Sequence, residues 1–189
     1  MKPLLLLAIP LAVFAFGSCN PNEFDTIKKK IEELKSPDQK TKEAARSYLL
    51  KDGFKRLPLI YGAGKSQKGW DNRELTQVLE DIMAGHLESI KKSGGTTSKR
   101  WKELSALPLE ISVPLMVRVY VENKLPGKDA TEWLEEEIRA WIHESGPESE
   151  DLIMKQVEST LKKLTEQYKD PESSQRKRMD RFQENVFRD

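Results

Sequence analysis

Apolar residues recur along this chain at steps of three and four, the spacing that lines one face of an α-helix. Phe24, Ile27, Ile31 and Leu34 set the first stripe, and Leu75, Val78, Leu79, Ile82, Met83, Leu87 and Ile90 the cleanest. Leu134, Ile138, Trp141 and Ile142 form another, followed by Ile153, Val157, Leu161, Leu164 and Tyr168. Each predicts a helix with one face on a core. The punctuation agrees. In Ser36-Pro37-Asp38-Gln39, Asp71-Asn72-Arg73-Glu74 and Asp129-Ala130-Thr131-Glu132, a cap acceptor stands three residues before Gln or Glu. The cap side chain accepts from amides that have no intrahelical partner, and the Glu or Gln reaches back. Gly146-Pro147 ends one helix and starts the next, with Glu148, Glu150 and Asp151 at the positive end of the new dipole. Asp170-Pro171 repeats the device before the last segment. The expected class is all-α: an irregular helical bundle or a short α-solenoid of antiparallel helix hairpins.

One segment breaks the period. From 109 to 121 every odd position is apolar: Leu109, Ile111, Val113, Leu115, Val117, Val119 and Val121. Such alternation is a strand signature. Pro114 cannot donate to a sheet ladder, however, and no partner strand is legible elsewhere. A helix beginning near Pro114 and buried on most sides is the favoured alternative. Residues 62–69 and 93–98 are rich in Gly, Ser and Thr and read as loops.

The amino terminus has a different pattern. An apolar run over residues 4–16 follows Lys2, and Gly17-Ser18-Cys19 closes it. Thirteen residues containing Pro10 fall short of the roughly 20 needed to span a bilayer. This order resembles the signal peptide and lipobox of bacterial lipoproteins, although Phe16 stands where an aliphatic residue is usual. The resemblance implies cleavage between Ser18 and Cys19, with residues 1–18 removed. It also implies a diacylglycerol and an N-acyl chain on Cys19, and no other cofactor. Residues 19–23 would then be a lipid-anchored tether and 24–189 a single helical domain. Asn20, in place of the Asp that favours inner-membrane retention, leans the sorting toward the outer membrane. The competing reading is plain secretion with cleavage after Gly17, which leaves Cys19 as a free thiol.

Composition narrows the function classes. Lys2 is the single charge within residues 1–18, so 31 of the 32 Lys and Arg remain against 31 Asp and Glu. A balanced chain has no surplus cations to displace counterions from phosphates, which argues against nucleic-acid binding. With one cysteine no internal disulfide can form, so stability must come from packed helices. Residues 34–60, LKSPDQKTKEAARSYLLKDGFKRLPLI, resemble a HEAT-type helical repeat. The resemblance lies in Pro37-Asp38, the small pair Ala44-Ala45, Leu49-Leu50, and Gly53 before Leu57-Pro58-Leu59-Ile60. It implies stacked helix hairpins and a protein-binding surface.

Candidate chemistry is sparse. Gly62-Ala63-Gly64-Lys65-Ser66 suggests a phosphate loop, but that motif needs a glycine where Leu59 stands. His86 lies on the apolar stripe between Ile82 and Ile90, which suits a hydrogen-bonded histidine at the core edge. His143 and Glu136 are seven residues apart, roughly 10 Å along a helix, and cannot grip one ion unaided. Glu135-Glu136-Glu137 reads as a solvated helix face. No catalytic residue and no metal site is expected. At the C-terminus, residues 171–189 read as a basic amphipathic helix, with Arg176, Lys177 and Arg178 beside Met179, Phe182, Val186 and Phe187. If Phe182 and Phe187 are exposed together, they mark a partner or membrane contact; if buried, the helix closes the bundle. The functional expectation is a lipid-anchored, non-catalytic envelope protein that binds or scaffolds another envelope protein. A surface lipoprotein contacting host or environmental ligands is the near alternative. A hydrolase or ligand-binding protein with a site assembled from distant helices is the alternative of another class.

Overall fold

The computed structural model describes residues 21–67, 72–127 and 129–187. Nine α-helices account for most of them: α1 (Pro21–Glu33), α2 (Gln39–Leu50), α3 (Gly53–Lys65), α4 (Arg73–Lys92), α5 (Lys99–Ser105), α6 (Leu109–Val121), α7 (Ala130–Glu144), α8 (Pro147–Gln167) and α9 (Ser174–Val186). A short 3₁₀ turn at Gly95–Thr97 precedes α5. The chain is all-α, with no strand among the described residues.

The helices fall into two groups that share one core. In the first, α1 packs on α2 and α3, which in turn pack on α4. In the second, α6 packs on α8, and α7 and α9 close over them. The groups meet where α4 lies on α6. The predicted stripes are the buried faces. Ile27, Ile31 and Leu34 of the first stripe, and Val78, Met83, Leu87 and Ile90 of the α4 stripe, are almost wholly excluded from solvent.

α6 explains its own misleading pattern. It is a helix along its whole length from Leu109, rather than from Pro114. Because α4, α5, α7, α8 and α9 all touch it, even positions such as Ser112, Met116 and Tyr120 are as buried as the odd ones. A helix buried all round shows no 3.6-residue period. Pro114 removes the N–H that would bond to the Glu110 carbonyl. The Tyr61 hydroxyl of α3 donates to that carbonyl instead, at 3.2 Å.

Two caps form at shifted positions and one at the predicted residue. Asp38, not Ser36, caps α2, accepting from the Thr41 amide at 3.0 Å. Asn72 caps α4 by accepting from the Glu74 amide at 2.9 Å. Asp129 occupies the cap position of α7 without a side-chain bond. The last helix starts at Ser173, whose hydroxyl accepts from the Arg176 amide at 3.2 Å, so residues 171–173 form a turn and not helix.

Two loop expectations are corrected. Residues 62–65 complete α3, and residues 95–97 form the 3₁₀ turn. Gly53 and Gly64 lie about three turns apart on the α4-facing side of α3. A Cβ at Gly53 would sit 2.7 Å from Ile82 Cγ1, and one at Gly64 2.6 Å from Leu75 Cδ2. Those glycines serve close packing of α3 on α4. Of the HEAT-like features, Ala45 and Leu49 are buried, whereas Ala44 and Leu50 face solvent. α1 lies against both α2 and α3.

Candidate functional site

The described residues offer four places to look for function. Ser18 and Cys19, with the rest of residues 1–20, lie outside them. Directly beyond, α1 begins at Pro21, inside the stretch read as a tether. Its first turn is tied to the body by Glu23, whose carboxylate lies 2.9 Å from Arg56 Nε of α3. The same guanidinium donates through Nη1 to the carbonyls of Tyr48 and Lys51, both at 3.1 Å. It also lies over the Tyr48 ring, 4.5 Å from the centroid. Arg56 therefore holds the start of α1 and neutralises the carbonyl end of α2.

The C-terminal helix closes the bundle. Phe182 is fully buried beside Tyr120, with ring centroids 4.9 Å apart, and Phe187 is half-buried against the core. The basic residues are committed as well. Arg176 pairs with Asp180 at 3.3 Å and Lys177 with Glu172 at 2.8 Å. Arg178 Nε donates to the Val121 carbonyl at 2.6 Å, capping the end of α6. A jointly exposed Phe182 and Phe187 is thus ruled out, because Met179, Phe182 and Val186 form the inner face of α9. Arg181 reaches Glu132 at 3.1 Å and Glu135 at 3.3 Å.

Glu135 corrects a second expectation. It is buried, not solvated: the Tyr120 hydroxyl donates to Oε1 and Asn185 Nδ2 donates to Oε2 at 2.9 Å. Burial, reinforced by the Glu135 carboxylate, pushes the Tyr120 phenol far above its ordinary range. Glu137 is partly buried against Trp133 and Thr96, and that burial raises its pKa.

A charge ladder crosses the junction of the two groups. Glu80 of α4 is nearly inaccessible, and it faces Arg118 of α6 at 3.5 Å and Lys124 at 3.2 Å. Lys124 also binds Asp81 at 2.7 Å, and Asp81 pairs with Arg46 of α2. Tyr168, at the end of α8, donates to Glu122. The backbone places Lys124. Asn123 takes a left-handed φ of 52°, the Lys124 amide bonds to Val119 O and the Asn123 amide to Tyr120 O, both at 3.0 Å. This is a Schellman closure of α6, which turns the next side chain back toward α4. Burial pushes the Glu80 carboxyl up, against the pull of Lys124 and Arg118. For Lys124 burial works against the charge, but Asp81 and Glu80 outweigh it and raise its pKa. The cations Arg46, Arg118 and Lys124 balance Glu80, Asp81 and Glu122. Such a ladder of paired charges positions α2, α4 and α6 against one another.

His86 is stacked on Phe54, with centroids 3.3 Å apart and planes within 3°. Its Nε2 lies 3.0 Å from the Arg100 carbonyl. A carbonyl can only accept, so Nε2 carries the proton. Burial holds the imidazole pKa below its ordinary value, against that hydrogen bond, and the ring is neutral at pH 7. It sits at the floor of a shallow groove of about 380 Å³ between the α2–α3 corner, α4 and α5. A second groove, of about 340 Å³, lies beside Trp141 and the α7–α8 corner. Gly62 to Ser66 cannot serve as a phosphate loop, because it presents the carbonyl end of α3 and not a helix N-terminus. Among the described residues no three His, Cys, Asp or Glu side chains converge as a metal site requires. No described helix is long and apolar enough to cross a membrane; α5 and α6 together pass by composition but meet at 116°.

The geometry defines an all-helical protein with buried, balanced polar networks and open surface grooves. Comparison with protein-family models, curated proteins and solved structures gives no match to this chain. Sequence reasoning did not find Arg56, Glu80 or Lys124. The signal available for Glu80 was a carboxylate one residue after Leu79 in the richest apolar stripe, where two opposing cations must be supplied from another helix.

Proposed function

We propose that this chain is a lipid-anchored protein of a bacterial envelope, acting as a non-catalytic protein-binding or scaffolding module. The support begins with the apolar run and Gly17-Ser18-Cys19, which suit acylation of Cys19 by diacylglycerol and an N-acyl chain. The observation that carries the reading is the placement of α1. It starts two residues after Cys19, and the Glu23–Arg56 pair fixes its first turn to α3. Two residues extend at most about 7 Å, so an anchor at Cys19 holds the helical body against the bilayer. A module held there, with its buried carboxylates Glu80 and Glu135 committed to structural partners, suits contact with another envelope protein better than turnover of a substrate.

Metabolic labelling with an alkyne fatty acid tests the anchor: wild type takes up label and Cys19→Ala does not. Wild type without label contradicts it. Crosslinking in intact cells tests the module, with recovery of a stable envelope partner expected. Failure to recover any partner contradicts the scaffold role.

A further inference from the structure

The groove over His86 combines open space with unpaired charges of both signs. Gly85 lies in the interior of α4, where glycine is the least favourable residue but proline. At Gly53 and Gly64 a close neighbour accounts for the glycine, but a Cβ at Gly85 would meet nothing within 4 Å. The space above it is open and belongs to the groove. Leu50, which also lines the groove, is one of two large apolar side chains exposed among the described residues, the other being Leu152. Asp52, another lining residue, takes a left-handed φ of 53° at the turn that ends α2.

Charge sorts the possible occupants. Asp81, at one edge, is already bound by Arg46 and Lys124. Among the described residues the side chains of Asp52, Lys55, Arg100 and Glu103 form no ion pair. The rim therefore presents an available anion and cation on the α3 side, and an available cation and anion on α5. Phe54 and Ile82 supply apolar lining beside Leu50. A ligand of one sign would be drawn to half of this rim and repelled by the rest. Unpaired charges of both signs around an apolar patch complement a peptide that carries an apolar side chain between an acidic and a basic residue.

We infer that this groove binds a peptide segment of a partner protein, one large apolar side chain seated on Phe54 and Ile82 with a basic and an acidic residue beside it. This rests on the protein-binding reading above. The apolar side chain occupies the space over Gly85. Its neighbours pair with Glu103 or Asp52 and with Arg100 or Lys55.

The test uses the isotope-labelled full chain in detergent micelles and four blocked pentapeptides, Gly-Lys-Leu-Glu-Gly, Gly-Glu-Leu-Lys-Gly, Gly-Lys-Leu-Lys-Gly and Gly-Glu-Leu-Glu-Gly. At least one mixed-charge peptide is expected to shift the Gly85 amide and His86 ring signals saturably, with the same-sign peptides at least about tenfold weaker. A Cβ at Gly85 meets nothing within 4 Å, so Gly85→Leu should keep or raise the melting temperature and weaken binding at least about tenfold. No shift from either mixed peptide at millimolar concentration overturns the inference, as does undiminished binding by Gly85→Leu. Crosslinking in cells separates the two readings. A partner captured equally by wild type and Gly85→Leu overturns the groove and leaves the scaffold role intact. No partner with either protein overturns both.

Discussion

At the residue scale, ionisable groups inside this protein are held by partners from other helices, and each arrangement has a measurable sign. His86 is neutral and buried, with its folded pKa below the ordinary 6.5. Between the two values the unfolded chain binds more protons than the folded one. Stability is therefore lost as pH falls through 6.5 toward the folded pKa. His86→Gln keeps a donor for the Arg100 carbonyl and does not titrate there. Denaturant unfolding at pH 7.5 and 5.5 should show wild type losing more stability than His86→Gln over that interval. The charge ladder predicts an asymmetry. Lys124→Met leaves Glu80 buried with Arg118 alone and should cost about 2 kcal/mol. Arg46→Ala removes a partly exposed pair and should cost about 1 kcal/mol or less. The folded Glu80 pKa is already raised, so protonation relieves the unpaired carboxylate. The Lys124→Met penalty should accordingly shrink at pH 4, measured by the same unfolding midpoints.

At the scale of elements, the helices were legible wherever one face met the core and the other met water. α4 is the clearest case: its stripe from Leu75 to Ile90 is its buried face. α6 was not legible as a full helix, because neighbours on every side erased its period and Pro114 suggested a start. The caps of α2 and α4 slipped by a residue or two because several acceptors stand together at those helix starts, and the fold selects among them. The grooves and the Glu80 ladder were not legible, since each joins residues more than thirty positions apart. The glycines separate packing from propensity. Gly64→Ala drives a Cβ into Leu75 and should cost about 1–3 kcal/mol. Gly62→Ala, two residues earlier in α3, meets nothing within 4 Å and should stabilise by about 0.5–1 kcal/mol. Thermal melts of the two variants should move in opposite directions.

At the scale of the whole molecule, the organising feature is that a single residue separates Cys19 from the start of α1 at Pro21. α1 starts at Pro21 and is secured through Glu23 to Arg56, which also closes α2 through the carbonyls of Tyr48 and Lys51. Arg56→Ala should loosen the first turn of α1. Hydrogen exchange in the body of α4 should stay unchanged, while amides of residues 24–28 exchange faster. The C-terminal helix, which the sequence left divided between a membrane contact and a bundle closure, completes the second group of helices with Phe182 inside. An anchored body is therefore expected to contact its surroundings through the first turn of α1 and the open grooves, and not through α9. Mass spectrometry of the N-terminal peptide, from protein recovered in bacterial membranes, tests the central claim most directly. The expected product is a chain beginning at Cys19 and carrying a thioether-linked diacylglycerol with an N-acyl group. An unacylated chain beginning at Ser18 would contradict it.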